Sequence, residues 1–232
     1  MTQMTMKMTK KYWEGAAYDE QRYQQLKTLV SRGEGTHLEF KKNASNAQQV
    51  VRELVAFANT KGGTLLIGVS DQGTIPGVKH PDEELYPVIK LLKNRCRPFL
   101  KFKQEIIVIP KEKFVISLTI QTSKRKPHSF FETRNQKHSY FRIADKTIRG
   151  SKELTQITFL KSRKQSITFT YSEYEEQLMK YLQTHESISL LGFSKLTGLN
   201  LNQASTRLVK LVAANVLNIV PQEKEDRFVA GL

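Results

Sequence analysis

Residues 56–71, Ala56-Phe57-Ala58-Asn59-Thr60-Lys61-Gly62-Gly63-Thr64-Leu65-Leu66-Ile67-Gly68-Val69-Ser70-Asp71, decide the fold. They open inside a helix: Val51, Leu54, Val55 and Ala58 recur at helical spacing, with Val50 and Phe57 beside them. The Gly62-Gly63 pair ends that helix by admitting backbone angles with φ > 0. A strand starts at once, because Thr64 to Val69 is nearly all apolar, as in a strand covered on both faces. It delivers Asp71 into the turn Asp71-Gln72-Gly73. Upstream, Leu38-Glu39-Phe40-Lys41 alternates, which sends Leu38 and Phe40 inward and puts Glu39 and Lys41 together on the other face. With Glu34 ahead of this strand, the carboxylates of Glu34, Glu39 and Asp71 gather around one backbone turn.

Working outward, residues 1–17 read as a mobile lead-in, and Tyr18 to Val30 as a helix with Tyr23, Leu26 and Val30 on one face. Pro81-Asp82-Glu83-Glu84 starts a further helix, with acidic groups at its positive dipole end and Leu85, Val88, Ile89 and Leu92 inward, until Arg97-Pro98 stops it. Strands Glu105 to Ile109 and Phe114 to Gln121 flank a turn at Pro110 to Lys113, and a second hairpin centres on Arg134-Asn135-Gln136-Lys137. Residues 18–160 therefore form one α+β domain with a central sheet. Residues 161–170, polar and basic, are the linker. From 171 to 232 a new unit begins: Ser172 and Glu175 form a capping box, Phe193 to Thr197 is a short helix stopped by Gly198, and Asn202 caps a third helix. Val216 to Val220, a turn at Gln222 to Asp226 and Phe228 to Ala230 complete strand, loop and strand, so this unit resembles a winged helix.

The order Glu-x4-Glu-Phe-Lys, a helix ending Ala-Phe-Ala-Asn-Thr-x-Gly-Gly, then Leu-Leu-Ile-Gly-Val-x-Asp-x-Gly-x-Ile-x-Gly resembles the Schlafen-type AlbA domain, over roughly residues 18 to 160. The resemblance implies nucleic-acid binding, and bacterial members fused to a winged helix are described as transcriptional regulators. Some animal Schlafens cleave structured RNA with a metal-supporting Glu, Glu, Asp trio, whose counterparts by motif position are Glu34, Glu39 and Asp71. They also carry a zinc site; this chain departs from them, since its lone cysteine, Cys96, excludes any zinc site needing several thiolates. Animal Schlafens pair two copies of the domain around one groove; this chain has one copy, so the resemblance implies a homodimer.

The formal net charge of +15 is unevenly placed. Residues 90–170 hold 20 Lys and Arg against 5 Asp and Glu, whereas the flanking segments are nearly neutral. A one-sign block on a neutral chain is the footprint of a polyphosphate partner, although Lys-rich strands also serve as solvated sheet edges. The densest part, Lys124-Arg125-Lys126-Pro127-His128-Ser129-Phe130-Phe131, continues through Arg134, Lys137, Tyr140, Phe141 and Arg142. Bases stack on rings and phosphates meet charges, so Lys124, Arg125, Lys126, Arg134, Lys137 and Arg142 are expected phosphate contacts, joined by Lys101 and Lys103. Strand alternation turns one of Phe130 and Phe131 inward, and one of Tyr140 and Phe141.

Two further sites are open at this level. Glu34, Glu39 and Asp71 could hold Mg or Mn for phosphodiester cleavage, with Lys41 on the scissile phosphate; equally, Glu39 could pair with a neighbouring lysine and Asp71 simply initiate its turn. Binding alone requires no cofactor. The third helix would offer Gln203, Thr206, Arg207 and Lys210 to a DNA major groove, yet residues 171–232 carry slightly more acid than base, which suits a protein-docking or dimerisation adaptor as well. Lys61-Gly62-Gly63-Thr64 lacks the phosphate-wrapping order of a P-loop. No apolar run reaches membrane-spanning length, and the single cysteine suits a reducing compartment, so the expected setting is the cytoplasm with nucleic acid, DNA or structured RNA, as partner.

Overall fold

The computed structural model describes residues 16–163 and 167–231; most of the expected N-terminal lead-in and part of the expected linker lie outside them. In chain order the elements are α1 (Glu20–Val30), β1 (Leu38–Lys41), α2 (Ala47–Asn59), β2 (Gly63–Ile67), α3 (Pro81–Arg95), β3 (Cys96–Arg97), β4 (Lys103–Ile109) and β5 (Lys113–Ile120). There follow β6 (Ser129–Phe131), β7 (Lys137–His138), β8 (Tyr140–Ile143), β9 (Lys146–Arg149) and α4 (Lys152–Ser162). The chain continues with α5 (Glu173–Thr184), β10 (Ile188–Ser189), α6 (Leu190–Thr197), α7 (Leu201–Ala213), β11 (Leu217–Val220) and β12 (Arg227–Ala230). The fold is mixed α+β, as the sequence pattern requires.

The main sheet has the order β1-β2-β5-β4, with β1 parallel to β2 and the other pairs antiparallel. Parallel neighbours need a crossover, and α2 supplies it. Its turn into β2 is set by Gly62 at φ 75°, whose N–H donates to Phe57 O at 2.8 Å. At Gly63 a Cβ would lie 2.5 Å from the Phe57 ring, so a hydrogen atom is all that fits between helix and strand.

The apolar run of β2 is divided between two cores. Leu65 and Ile67 join α2 and α3 on one face, with Ile116 and Leu118 of β5, while Leu66 packs with Leu26 and Val30 of α1 on the other. Burial on both faces is what an uninterrupted apolar strand requires. The strand stops at Ile67 instead of continuing to Val69, because Gly68 turns the chain at φ 104°. Cys96 is buried beneath α3, and burial pushes its thiol up to about 12, as befits a small core residue.

Both expected hairpins form, β4 with β5 and β6 with β7. The β8–β9 hairpin and helix α4 are additional. Tyr140 and Phe141 are both buried, because β8 is covered on both sides, not one. In the C-terminal part, α5, α6 and α7 surround Leu178, Phe193, Leu208 and Phe228, and β10, β12 and β11 form a three-stranded sheet in that order. Glu175 accepts the Ser172 N–H at 3.0 Å, as the capping motif anticipates. The cap of α7 is Asn200 and not Asn202: Asn200 accepts Gln203 N–H at 3.0 Å, and Gln203 reaches back to Asn200 N–H. Helix α4 joins the two halves, since its Ile157 enters the C-terminal core. Among the described residues no helix is long and apolar enough to cross a membrane.

Candidate nucleic-acid interface

Strand β1 lies at the edge of the sheet, which would ordinarily leave Glu39 and Lys41 in water. Instead the β8–β9 hairpin packs over α2 and drives Arg142 onto that face. The Arg142 side chain is 1% exposed and pairs with Glu39 at 2.6 Å and with Glu53 of α2 at 2.8 Å. It also donates to the carbonyl of Gly35 at 2.9 Å. Thr147 of β9 donates to Glu53, and Lys41 closes on Glu39. Burial, with the Glu39 carboxylate adding to it, pushes the Glu53 carboxyl above its usual range, against the pull of Thr147 and Arg142. Arg142 is thus an internal clamp between β1, α2 and β8. Its expected role as a phosphate contact is corrected: no nucleic acid can reach it.

The same clamp bears on the carboxylate trio. Glu39 spends its oxygens on Arg142 and Lys41, and Glu34 accepts the Phe40 N–H at 2.8 Å. Burial chiefly, with lesser contributions from Glu39 and Asp71, raises the Glu34 carboxyl above its ordinary value, so the three groups feel one another. They do not converge on a common point, however. Among the described residues no three His, Cys, Asp or Glu side chains are arranged to hold a metal ion. As placed, the trio does not present a shared set of oxygens to Mg or Mn, because Arg142 and Lys41 each hold one Glu39 oxygen and Glu34 is turned to the Phe40 N–H.

The cations that remain at the surface do converge. An open groove of about 1030 Å³ lies between the 124–127 loop, the β6–β7 hairpin and α4. Among the described residues eight basic ones line it, Arg97, Lys124, Arg125, Lys126, Lys137, Arg149, Lys152 and Arg163, and no carboxylate does. Its floor is polar and small: Ser129 and Ser139 hydrogen-bond to each other at 2.9 Å beside Gly150. Asn59, from the helix end quoted at the outset, holds the floor in place. Its amide donates to His128 O at 2.8 Å and Tyr140 O at 3.0 Å and accepts the His128 N–H at 2.7 Å. The His128 ring is buried, with Nδ1 2.9 Å from Pro98 O, so Nδ1 carries the proton. Burial depresses its pKa, the Pro98 carbonyl opposing and the charge of Lys126 assisting.

The expected contacts divide as follows. Lys124, Arg125 and Lys137 are exposed in the groove. Lys126 lines it but turns its ammonium inward to Thr60 O at 2.6 Å, and burial lowers its pKa. Arg134, Lys101 and Lys103 are exposed but outside the groove, and Lys103 pairs with Glu105 at 2.8 Å. Sequence reasoning missed Arg97, Arg149, Lys152 and Arg163. A signal existed for the last two: Lys152, Gln156, Phe159 and Arg163 follow helical spacing and share one face of α4.

On α7, Gln203, Thr206, Arg207 and Lys210 surround a depression of about 420 Å³. Arg207 is held there by Glu175 at 2.6 Å and lies over the Tyr174 ring. A third depression, between the groove and the turn before β12, is lined by Arg149 and Lys152 on one side and Glu223, Glu225 and Asp226 on the other.

The sequence matches the Schlafen, AlbA_2 family over residues 34–151, just over half of the chain. The chain belongs to that family. No curated protein matches it. Among solved structures it is similar to the DIP2311 protein of Corynebacterium diphtheriae, with 14% identity and a TM-score of 0.43 over 91% of this chain. The match covers 39% of the Corynebacterium protein. It is also similar to the N-terminal domain of a RecG-related protein from Nitrosomonas europaea, with 17% identity and a TM-score of 0.37, over 51% of this chain and 85% of that domain.

Proposed function

We propose that the protein binds nucleic acid, with little dependence on sequence, through the groove between the 124–127 loop and α4. The observation that carries this reading is the eight-to-none excess of cations over carboxylates along the groove walls among the described residues. A concave surface of one sign focuses the field on a polyanion, and each phosphate it neutralises releases condensed counterions. The Schlafen-like resemblance points the same way. The serine pair and Gly150 on the floor leave room for a sugar-phosphate chain between the basic walls.

A second, transcriptional role rests on the C-terminal unit. Its order, helix, strand, two helices and a hairpin, fits a winged helix whose α7 would present Gln203, Thr206 and Lys210 to duplex DNA. Arg207 is withheld by Glu175, which leaves fewer groups for base reading.

The test is fluorescence anisotropy with labelled oligonucleotides, comparing wild type with a triple variant, Lys124→Glu, Lys137→Glu and Arg149→Glu. All three side chains are exposed, so the fold should survive. Wild type should bind at least as tightly as the ~10⁻⁴ to 10⁻⁶ M typical of non-specific contacts. The variant should lose more than about tenfold, since each position contributes a phosphate contact. Equal affinity in both proteins would refute the assignment.

A further inference from the structure

Most cations in the groove stand beside polar or backbone groups, and one large apolar side chain stands among them. Phe159 is 39% exposed on the groove face of α4. It is absent from all three hydrophobic cores, whereas its neighbours Ile157 and Leu160 turn into the C-terminal one. The Arg163 guanidinium lies over its ring, 4.1 Å from the centroid. Gln156, which can both donate to and accept from a base edge, lines the groove about one helical turn away, three residues earlier on the same face.

An exposed phenylalanine in a basic channel gains nothing from phosphates. A ring capped on one side by a guanidinium offers a flat, polarisable wall on which a π system can stack, and unpaired bases are the part of a nucleic acid that supplies one. In a duplex the base faces are consumed by their own stack. The geometry points to Phe159, braced by Arg163, as a stacking platform for an unpaired base, so that the groove selects single-stranded over duplex nucleic acid. This rests on the groove being the nucleic-acid site. The chemistry is common to DNA and RNA, because the base face is shared and only the 2′ position differs.

The experiment uses the full chain and one mixed-sequence strand offered as DNA, as RNA and as the duplex it forms with its complement. Anisotropy gives the affinities. The base analogue 2-aminopurine placed within the strand reports stacking directly, because its fluorescence is quenched by a contacting ring. Wild type should prefer both single strands to the duplex and quench the analogue. Phe159→Ala should weaken single-strand binding by about 5- to 150-fold, the range spanned by one base–aromatic stack, while duplex affinity changes little. Phe159→Trp should retain affinity and quenching. Phe159→Leu, which keeps the bulk without the ring, should behave as the alanine variant and covers the case in which alanine loosens α4.

Unchanged single-strand affinity in Phe159→Ala, or an equal loss on strand and duplex, would overturn the platform while leaving the basic groove in place. A loss confined to one sugar type would assign the contact to the 2′ position and overturn stacking. Failure of wild type to bind any of the three would overturn the groove reading itself.

Discussion

Arg142→Met tests the internal clamp. The side chain is 1% exposed and is held by Glu39, Glu53 and the Gly35 carbonyl. Its removal leaves two carboxylates, 6% and 7% exposed, on one face of β1 and α2, with Lys41 as the nearest remaining cation on Glu39. Breaking a buried ion pair from one side costs about 3–5 kcal/mol, because the stranded charge keeps its desolvation penalty. Against a total domain stability of about 5–15 kcal/mol, that is about a fifth at the least. Urea unfolding followed by circular dichroism at neutral pH measures the loss. Adding Glu39→Gln and Glu53→Gln to Arg142→Met removes the stranded charges and should recover much of it. The two readings of Arg142 also separate in a binding assay. A surface phosphate contact would lose affinity and keep stability, whereas the clamp loses stability and keeps affinity in the folded fraction. A stability change below about 1 kcal/mol, in the range of an exposed pair, would refute the clamp.

Three other outcomes follow from the same geometry. His128 has its pKa depressed below the ordinary 6.5 by burial, so the unfolded chain binds its proton more readily than the folded one. Its contribution is intact above 6.5 and is lost as pH falls through the folded value; a His128→Gln variant should unfold with a shallower acid-side dependence than wild type, and parallel profiles would refute this. Gly63→Ala places a methyl 2.5 Å from the Phe57 ring and 2.9 Å from His37 O, and overpacking of this kind costs about 1–3 kcal/mol, seen as a lower denaturation midpoint that Phe57→Leu should partly restore. With Lys126 turned inward, the other seven basic residues of the groove limit the slope of log affinity against log salt on a single strand to about −5; a slope near zero would show that phosphates are not engaged.

What could be read in the sequence and what could not differ in the range of the interaction that decides them. Helix α2, its glycine stop and β2 were legible because each depends on neighbours within a few residues: apolar spacing, two glycines, a run of branched and aliphatic side chains. The capping of α7 was legible too, since Asn200-x-x-Gln203 is a capping box, and choosing Asn202 overlooked the residue that answers it. Glu39 was not legible. Its strand alternates like a half-buried edge, and only the arrival of Arg142, about a hundred residues later in the chain, covers the polar face. The charge block behaves in the opposite way: where composition decides, many lysines and arginines outvote any single misplacement. Arg142 went inside and Lys126 half inside, and Arg134, Lys101 and Lys103 stand apart, yet Arg97 of β3, Arg149 of β9, and Lys152 and Arg163 from the two ends of α4 came to the same groove. Composition therefore predicted that a basic surface exists, and long-range packing chose which cations form it. The clamp is part of that choice: Arg142 fixes β8 against α2, and β8 leads through β9 into α4, so the buried pair that the chain cannot offer to phosphate aligns the helix whose exposed face carries Lys152, Phe159 and Arg163.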